Sequence, residues 1–316
     1  MDNKESGREN GWERELLERL AFASLQEQRT RRRWGVFFKV LGFAYLIVLL
    51  IVLSGVTGGP SHSKEKHTAL VDLSGVIDSD GDSSAESVTA ALNDAFKEGN
   101  VVGVILRVNS PGGSPVQSSI IHDEIRRLRA KYPEKPLHAV VEDICASGGY
   151  FVAAAADKIY VNRSSIVGSI GVLMDGFGFS AAMDKLGVER RLLTAGENKG
   201  FLDPFSPQDQ KHRRHAQLLL DDIHKQFIEV VRQGRGSRLR ETPELFSGLM
   251  WTGQQSMALG LVDEFGTVDS VARDVIKAET VVDYTLRRSL TDRLAQRFGT
   301  AFGGAFANAV RGLRLY

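Results

Sequence analysis

Ser147 lies in Ala146-Ser147-Gly148-Gly149-Tyr150, where the apolar run Leu137-His138-Ala139-Val140-Val141 gives way to the helix-like Phe151-Val152-Ala153-Ala154-Ala155-Ala156. A serine at a helix N-terminus has an exposed hydroxyl beside backbone N–H groups that can hold developing negative charge, as nucleophilic acyl transfer requires. Ser-Gly-Gly is more often a turn or an N-cap, so the motif gains weight only from its surroundings. A second glycine loop, Asn109-Ser110-Pro111-Gly112-Gly113-Ser114, follows the apolar run Val101–Val108. Its glycines leave N–H groups open to a ligand, as in an oxyanion hole or peptide clamp, or they form a tight turn. No lysine follows at the spacing of a phosphate loop.

A serine hydroxyl needs a base. None of the seven histidines is convincingly placed. His62 and His67 fall in a linker, His122 and His138 read as surface or edge residues, and His212, His215 and His224 follow helical spacing on a polar face. Lys199, in Gly196-Glu197-Asn198-Lys199-Gly200 after the strand expected at Glu189–Leu193, is the better candidate. Desolvation favours a neutral amine that can accept a proton, although most lysines are solvated surface charges. The single cysteine, Cys145, is either a rival nucleophile or a small buried side chain. It excludes an intrachain disulfide and a multi-cysteine metal site. No metal or cofactor is expected, and 40 Lys and Arg against 39 Asp and Glu give no reason to expect nucleic acid.

The elements that must position these residues read as α/β. Strands are expected at Ala69–Leu73, Val101–Val108, Leu137–Glu142, Ile159–Val161 and Glu189–Leu193, with a further short apolar segment at Ile166–Val172. Helices are expected at Ala85–Lys97, Val116–Ala130, Gly149–Ala156, Ala181–Leu186 and roughly Gln208–Gln233. The alternation predicts stacked β-α units around a largely parallel sheet. Ahead of this, residues 34–56 are almost wholly apolar, long enough to span a bilayer, and preceded by Arg29, Arg31, Arg32 and Arg33. They predict a single uncleaved signal-anchor with the N-terminus cytoplasmic. The expected organisation is a cytoplasmic segment at 1–33, the anchor at 34–56, a linker at 57–67, one catalytic domain at 68–284 and a basic amphipathic tail at 285–316. The tail reads either as a membrane-surface helix or as one docked on its own domain.

From about Thr68 to Ala278 the chain resembles the signal peptide peptidase A (SppA) family of bacterial membrane-anchored serine proteases, peptidase family S49. The resemblance is carried by Asn109-Ser110-Pro111-Gly112-Gly113, Ala146-Ser147-Gly148-Gly149-Tyr150 and Val167-Gly168-Ser169-Ile170-Gly171-Val172. A looser match is Asn198-Lys199 followed by Asp203-Pro204-Phe205. It implies a Clp-protease/crotonase-like stacked β-α fold with a Ser/Lys dyad: Ser147 as nucleophile, Lys199 as general base and Ser169 holding the amine. Gly148, with an N–H from Gly112 or Gly113, would form the oxyanion hole. It further implies extended peptide substrates such as signal-peptide remnants, a homo-oligomeric ring in which Lys199 could reach a neighbour's Ser147, and a catalytic domain outside the inner membrane. The chain departs from a common family form at Asn162-Arg163-Ser164-Ser165, where proline often replaces Arg163. It carries one copy of a domain that longer relatives carry twice. Three other readings stay open: a crotonase-like acyl-CoA enzyme, an inactive peptide-binding scaffold, and a related protease acting on stomatin-like or misfolded membrane proteins.

Overall fold

The computed structural model describes residues 31–49 and 65–286. Residues 31–49 form a helix, α1, along which Trp34 stacks on Phe38 and both meet Phe37 edge-on, with ring centroids 5.7 Å apart. No helix among the described residues is long and apolar enough to cross a membrane. The expected span continues through residues 50–56, outside the described residues. Residues 1–30 of the expected cytoplasmic segment, most of the linker and nearly all of the basic tail also lie outside them.

Residues 65–286 build an eight-stranded sheet. Its strands are β1 (His67–Ile77), β2 (Val101–Gly113), β3 (Leu137–Ala146), β4 (Lys158–Val161), β5 (Ile166–Gly168), β6 (Met250–Thr252), β7 (Glu264–Phe265) and β8 (Val281–Asp283). The path runs β6-β5-β3-β2-β1-β8, and β4 joins β3 to β7. Every pairing is parallel except β5 with β6. The N-terminal half of β3 pairs with β4 and its C-terminal end pairs with β5. The sheet therefore changes partner along β3, and the chain leaves β3 at the end paired with β5.

Helices α2 (Ala85–Lys97), α3 (Pro115–Lys131) and α4 (Gly148–Ala153) cover one face. Their buried residues meet Ala69, Val71, Leu73, Val104, Leu106, Val108, Ala139 and Val141 in the main core. The opposite parity, Leu70, Ile105, Val140 and Tyr160, packs under Val271 and Ala272 of a π-helical turn, Val271–Ile276. Farther along the same parity the apolar row becomes Asp72, Arg107 and Glu142, with Arg107 bonding Asp72 at 2.7 Å and approaching Glu142 at 3.6 Å. Start signals match the chemistry of helix ends: Ser84 caps α2, and Ser114 caps α3 with Pro115 following it.

After β5 the chain departs from the body through α5 (Ser180–Leu186) and returns along α6 (Gln210–Arg235). The expected strand Glu189–Leu193 does not form. Those residues are irregular and exposed, Leu193 at 97%. The free edge of β5 that such a strand could have joined is taken by β6, through Val167 opposite Trp251.

Candidate active site

Ser147 stands one residue beyond β3 at the N-cap of α4, with φ 51° and ψ −124°. Its side chain makes no cap hydrogen bond to the helix. The N-cap reading of this serine is thereby excluded, and its hydroxyl is left for other work. Ala146 pairs with Gly168 across β3 and β5, and Ser147 N–H donates to Gly168 O at 2.9 Å. Ser169, one residue beyond β5, therefore lies beside Ser147. Its φ is also 51°, fixed by Ser169 N–H to Leu249 O at 2.7 Å. Positive φ costs a non-glycine residue of order 1–3 kcal/mol and persists only where surrounding contacts over-determine it. Two such residues side by side, both half-buried, mark this junction. It has the character of the strained strand-to-helix turn that presents nucleophilic serines in hydrolases.

The glycine loop closes against this turn. A Cβ on Gly112, whose φ is 100°, would stand 2.6 Å from Gly148 N and 2.7 Å from Ser147 Cβ. One on Gly148 would collide with Ser118 Oγ and lie 3.3 Å from Gly113 N. Both positions need glycine for close approach. The N–H of Gly112 is engaged by Ser110 Oγ at 3.1 Å, and that hydroxyl donates to Gly75 O at 2.6 Å. Of the Gly112-Gly113 pair, Gly113 is thus the better placed donor: it is exposed and its N–H neighbours Gly148. Gly148 is the first residue of α4, so its N–H has no acceptor within the helix.

Cys145 is fully buried, and burial pushes its thiol upward in pKa, so it offers no thiolate. His67 is the first residue of β1, buried and bonded to the Tyr284 hydroxyl at 2.9 Å, rather than a linker residue. His122 and His138 are also buried rather than superficial, and desolvation lowers the pKa of each. His138 sits eight residues before Ala146 on β3, about 26 Å along the strand. His122 lines a cavity at the far end of α4, with Ala154, Ala155 and Ala156. His224 is brought beside the site, its Nε2 donating to Ile170 O at 3.1 Å, which helical spacing alone did not reveal. No group of three or more His, Cys, Asp or Glu among the described residues could hold a metal ion.

Lys199 is exposed. Its N–H bonds Gly196 O at 3.0 Å, and its loop is fastened to the start of α6 by Glu197 to Lys211 at 2.8 Å and Asn198 to His212 at 3.3 Å. Ser169 adjoins the same helix at His224. Twelve residues separate His212 from His224, about 18 Å of helix rise. Within one chain, the lysine loop and the two serines therefore attach to α6 at well-separated points.

The site is thus an uncapped serine with positive φ at a strand end, with the glycine loop packed against it in a mostly parallel α/β sheet, chemically suited to acyl transfer. The family model described as Peptidase family S49 matches residues 129–282, a stretch holding Ser147, Ser169 and Lys199. "Putative protease slr0021" of Synechocystis sp. is 32% identical over 208 residues, 65% of this chain and 72% of that protein. "Putative signal peptide peptidase SppA" of Enterococcus faecium is 28% identical over 232 residues, 71% of this chain and 67% of that protein. The "Na(+)/H(+) antiporter NhaA" of Brucella melitensis is 43% identical over 214 residues, 66% of this chain but 29% of that protein. The chain thus spans under a third of the length of that antiporter and of its Brucella abortus counterpart. The chain belongs to peptidase family S49.

Proposed function

We propose that this chain is a serine endopeptidase of Clp-protease/crotonase-like fold, in which Ser147 attacks the peptide carbonyl and Lys199 of a neighbouring protomer is the general base. The observation that carries the reading is the Ser147 turn: a positive φ at a non-glycine residue, no capping bond, and the Gly148 and Gly113 N–H groups alongside. In this reaction the Ser147 hydroxyl gives its proton to the Lys199 amine as Oγ bonds to the scissile carbon. The carbonyl electron pair moves to oxygen, where the Gly148 and Gly113 N–H groups stabilise it. Collapse of the tetrahedral intermediate breaks the C–N bond, and the ammonium returns the proton to the departing amine. Water, deprotonated by the same lysine, then hydrolyses the serine ester. Ser169, beside Ser147, orients the amine.

Two observations support a base supplied by a neighbour. The lysine loop and the serines meet α6 about 18 Å apart in one chain. Segment 172–193 also exposes Leu173 at 80%, Phe177 at 82%, Leu186 at 78% and Leu193 at 97%, a density that monomers rarely leave uncovered. A homo-oligomeric ring would cover these side chains and exclude solvent from Lys199. Extended peptides, including apolar segments released from the membrane, would add beside the Gly112-Gly113 loop as a strand. An anchor at residues 34–56 would hold the site on the outer side of the inner membrane, next to such substrates and to the bilayer.

Separate Ser147→Ala, Lys199→Ala and His224→Ala variants, assayed on a signal-peptide-like peptide, test the assignment. The first two lose at least about a thousandfold in kcat with folding intact, and His224→Ala keeps activity within about tenfold. A Lys199→Ala enzyme at the wild-type rate would overturn the proposal. Acyl-CoA binding with no labelling of Ser147 by a serine-directed phosphonate would instead favour the acyl-CoA reading.

A further inference from the structure

The lysine loop is held by more contacts than an exposed loop needs. Leu202 has φ 53°, a left-handed conformation that a branched side chain adopts only when constrained. On its C-terminal side, Phe179 N–H donates to Pro204 O at 2.7 Å, Phe179 stacks on Phe205 at 5.5 Å, and Asp203 accepts from Ser206 at 2.6 Å. On its N-terminal side, Phe201 is gripped edge-on by His212 and His215, with ring centroids at 5.4 and 5.6 Å. His212 is half-buried and donates from Nε2 to Asn198 Oδ1 at 3.3 Å. Asn198 and Phe201 flank Lys199 within the loop. The Glu197–Lys211 ion pair beside them is exposed on both sides and contributes little.

We propose that His212, with Phe201 packed against it, is the positioning residue for Lys199: the imidazole fixes Asn198, and with it the backbone from which the lysine projects. The inference rests on the reading of Lys199 as the base. His212 and His215 are three residues apart and so share a face of α6, which is why one aromatic ring can meet both. A base must be held within a few tenths of an ångström of its proton donor, and a misplacement of about 1 Å costs up to a hundredfold. His212 would thus act on the chemical step without touching substrate.

The test is steady-state peptide hydrolysis by the full chain in His212→Ala, His212→Gln and Lys199→Ala variants, with thermal unfolding measured for each. His212→Ala lowers kcat about tenfold and leaves KM within about twofold. His212→Gln, whose amide N–H can still reach Asn198 Oδ1, recovers most of that loss. The proposal is overturned if His212→Ala retains wild-type kcat while Lys199→Ala is inactive, or if His212→Gln is as impaired as His212→Ala. Lys199→Ala at full activity would remove the underlying reading itself.

Discussion

The backbone at Ser147 and its glycine neighbours carries the site's specificity for residue type. Gly112 has φ 100° and its Cα is pressed against the Ser147–Gly148 peptide, so any side chain there must move the nucleophile or the N–H beside it. Gly112→Ala is expected to lower kcat/KM by at least about a hundredfold, comparable to losing an oxyanion donor. The melting temperature should fall by only the few degrees that about 1–2 kcal/mol of backbone strain implies. Gly176→Ala is the control, because nothing lies within 4 Å of its Cβ position, and both quantities should stay at wild-type values. Equal activity in the two variants would contradict the site geometry. The motifs around Ser147, Ser169 and Gly112 are visible in the sequence because such turns need small residues in fixed order. The clamp at His212 is not visible, because it joins a loop to a helix through contacts that no local pattern encodes.

At the scale of elements, α6 ties the lysine loop to the body, and its far end is locked by one buried ion pair. Arg235, 1% exposed, forks onto both oxygens of Asp263 at 2.8 Å and bonds Gly260 O at 2.9 Å. Burial pushes the Asp263 carboxyl up most strongly, but the bonds and charge of Arg235, the Ile159 N–H and the charge of Arg238 together outweigh it and hold the pKa below the ordinary value. A carboxyl depressed in the folded state contributes stability that is present above its unfolded pKa, near 3.9, and is lost as pH falls through the folded value. Asp263→Asn leaves Arg235 buried and unpaired. It is expected to cost about 3–5 kcal/mol at pH 7 and less as the pH falls below about 4, read by denaturant unfolding at several pH values. A loss below 1 kcal/mol at neutral pH would show that the pair does not secure the helix. The expected helix Ala85–Lys97 coincides with α2, whose Ser84 cap and apolar face agree. The strands were legible as apolar runs but their ends were not: β2 continues to Gly113 through Asn109, Ser110 and Pro111, and β3 continues past Asp143 to pair Ile144, Cys145 and Ala146 with β5 while leading into the site. Strands β6, β7 and β8 span two or three residues each, too few for a period to show. Glu189–Leu193, which carries Glu189, Arg190 and Arg191 beside its two leucines, forms no strand, and the edge of β5 is taken by β6.

At the scale of the whole molecule, the loop holding Lys199 and the turn holding Ser169 meet α6 about 18 Å apart, and segment 172–193 exposes leucine and phenylalanine side chains. The proposed oligomer would account for both features at once, a neighbour covering the exposed side chains and delivering the lysine. The direct measurement is co-expression of a Ser147→Ala chain and a Lys199→Ala chain carrying different affinity tags. Doubly purified mixed oligomers are then compared in peptide hydrolysis with each parent. Each parent should be inactive, while the mixed oligomers regain a substantial fraction of wild-type activity, since an intact Ser147 on one chain meets an intact Lys199 on the other. Mixed oligomers as inactive as their parents, or a Lys199→Ala parent that hydrolyses peptide at the wild-type rate, would contradict the account.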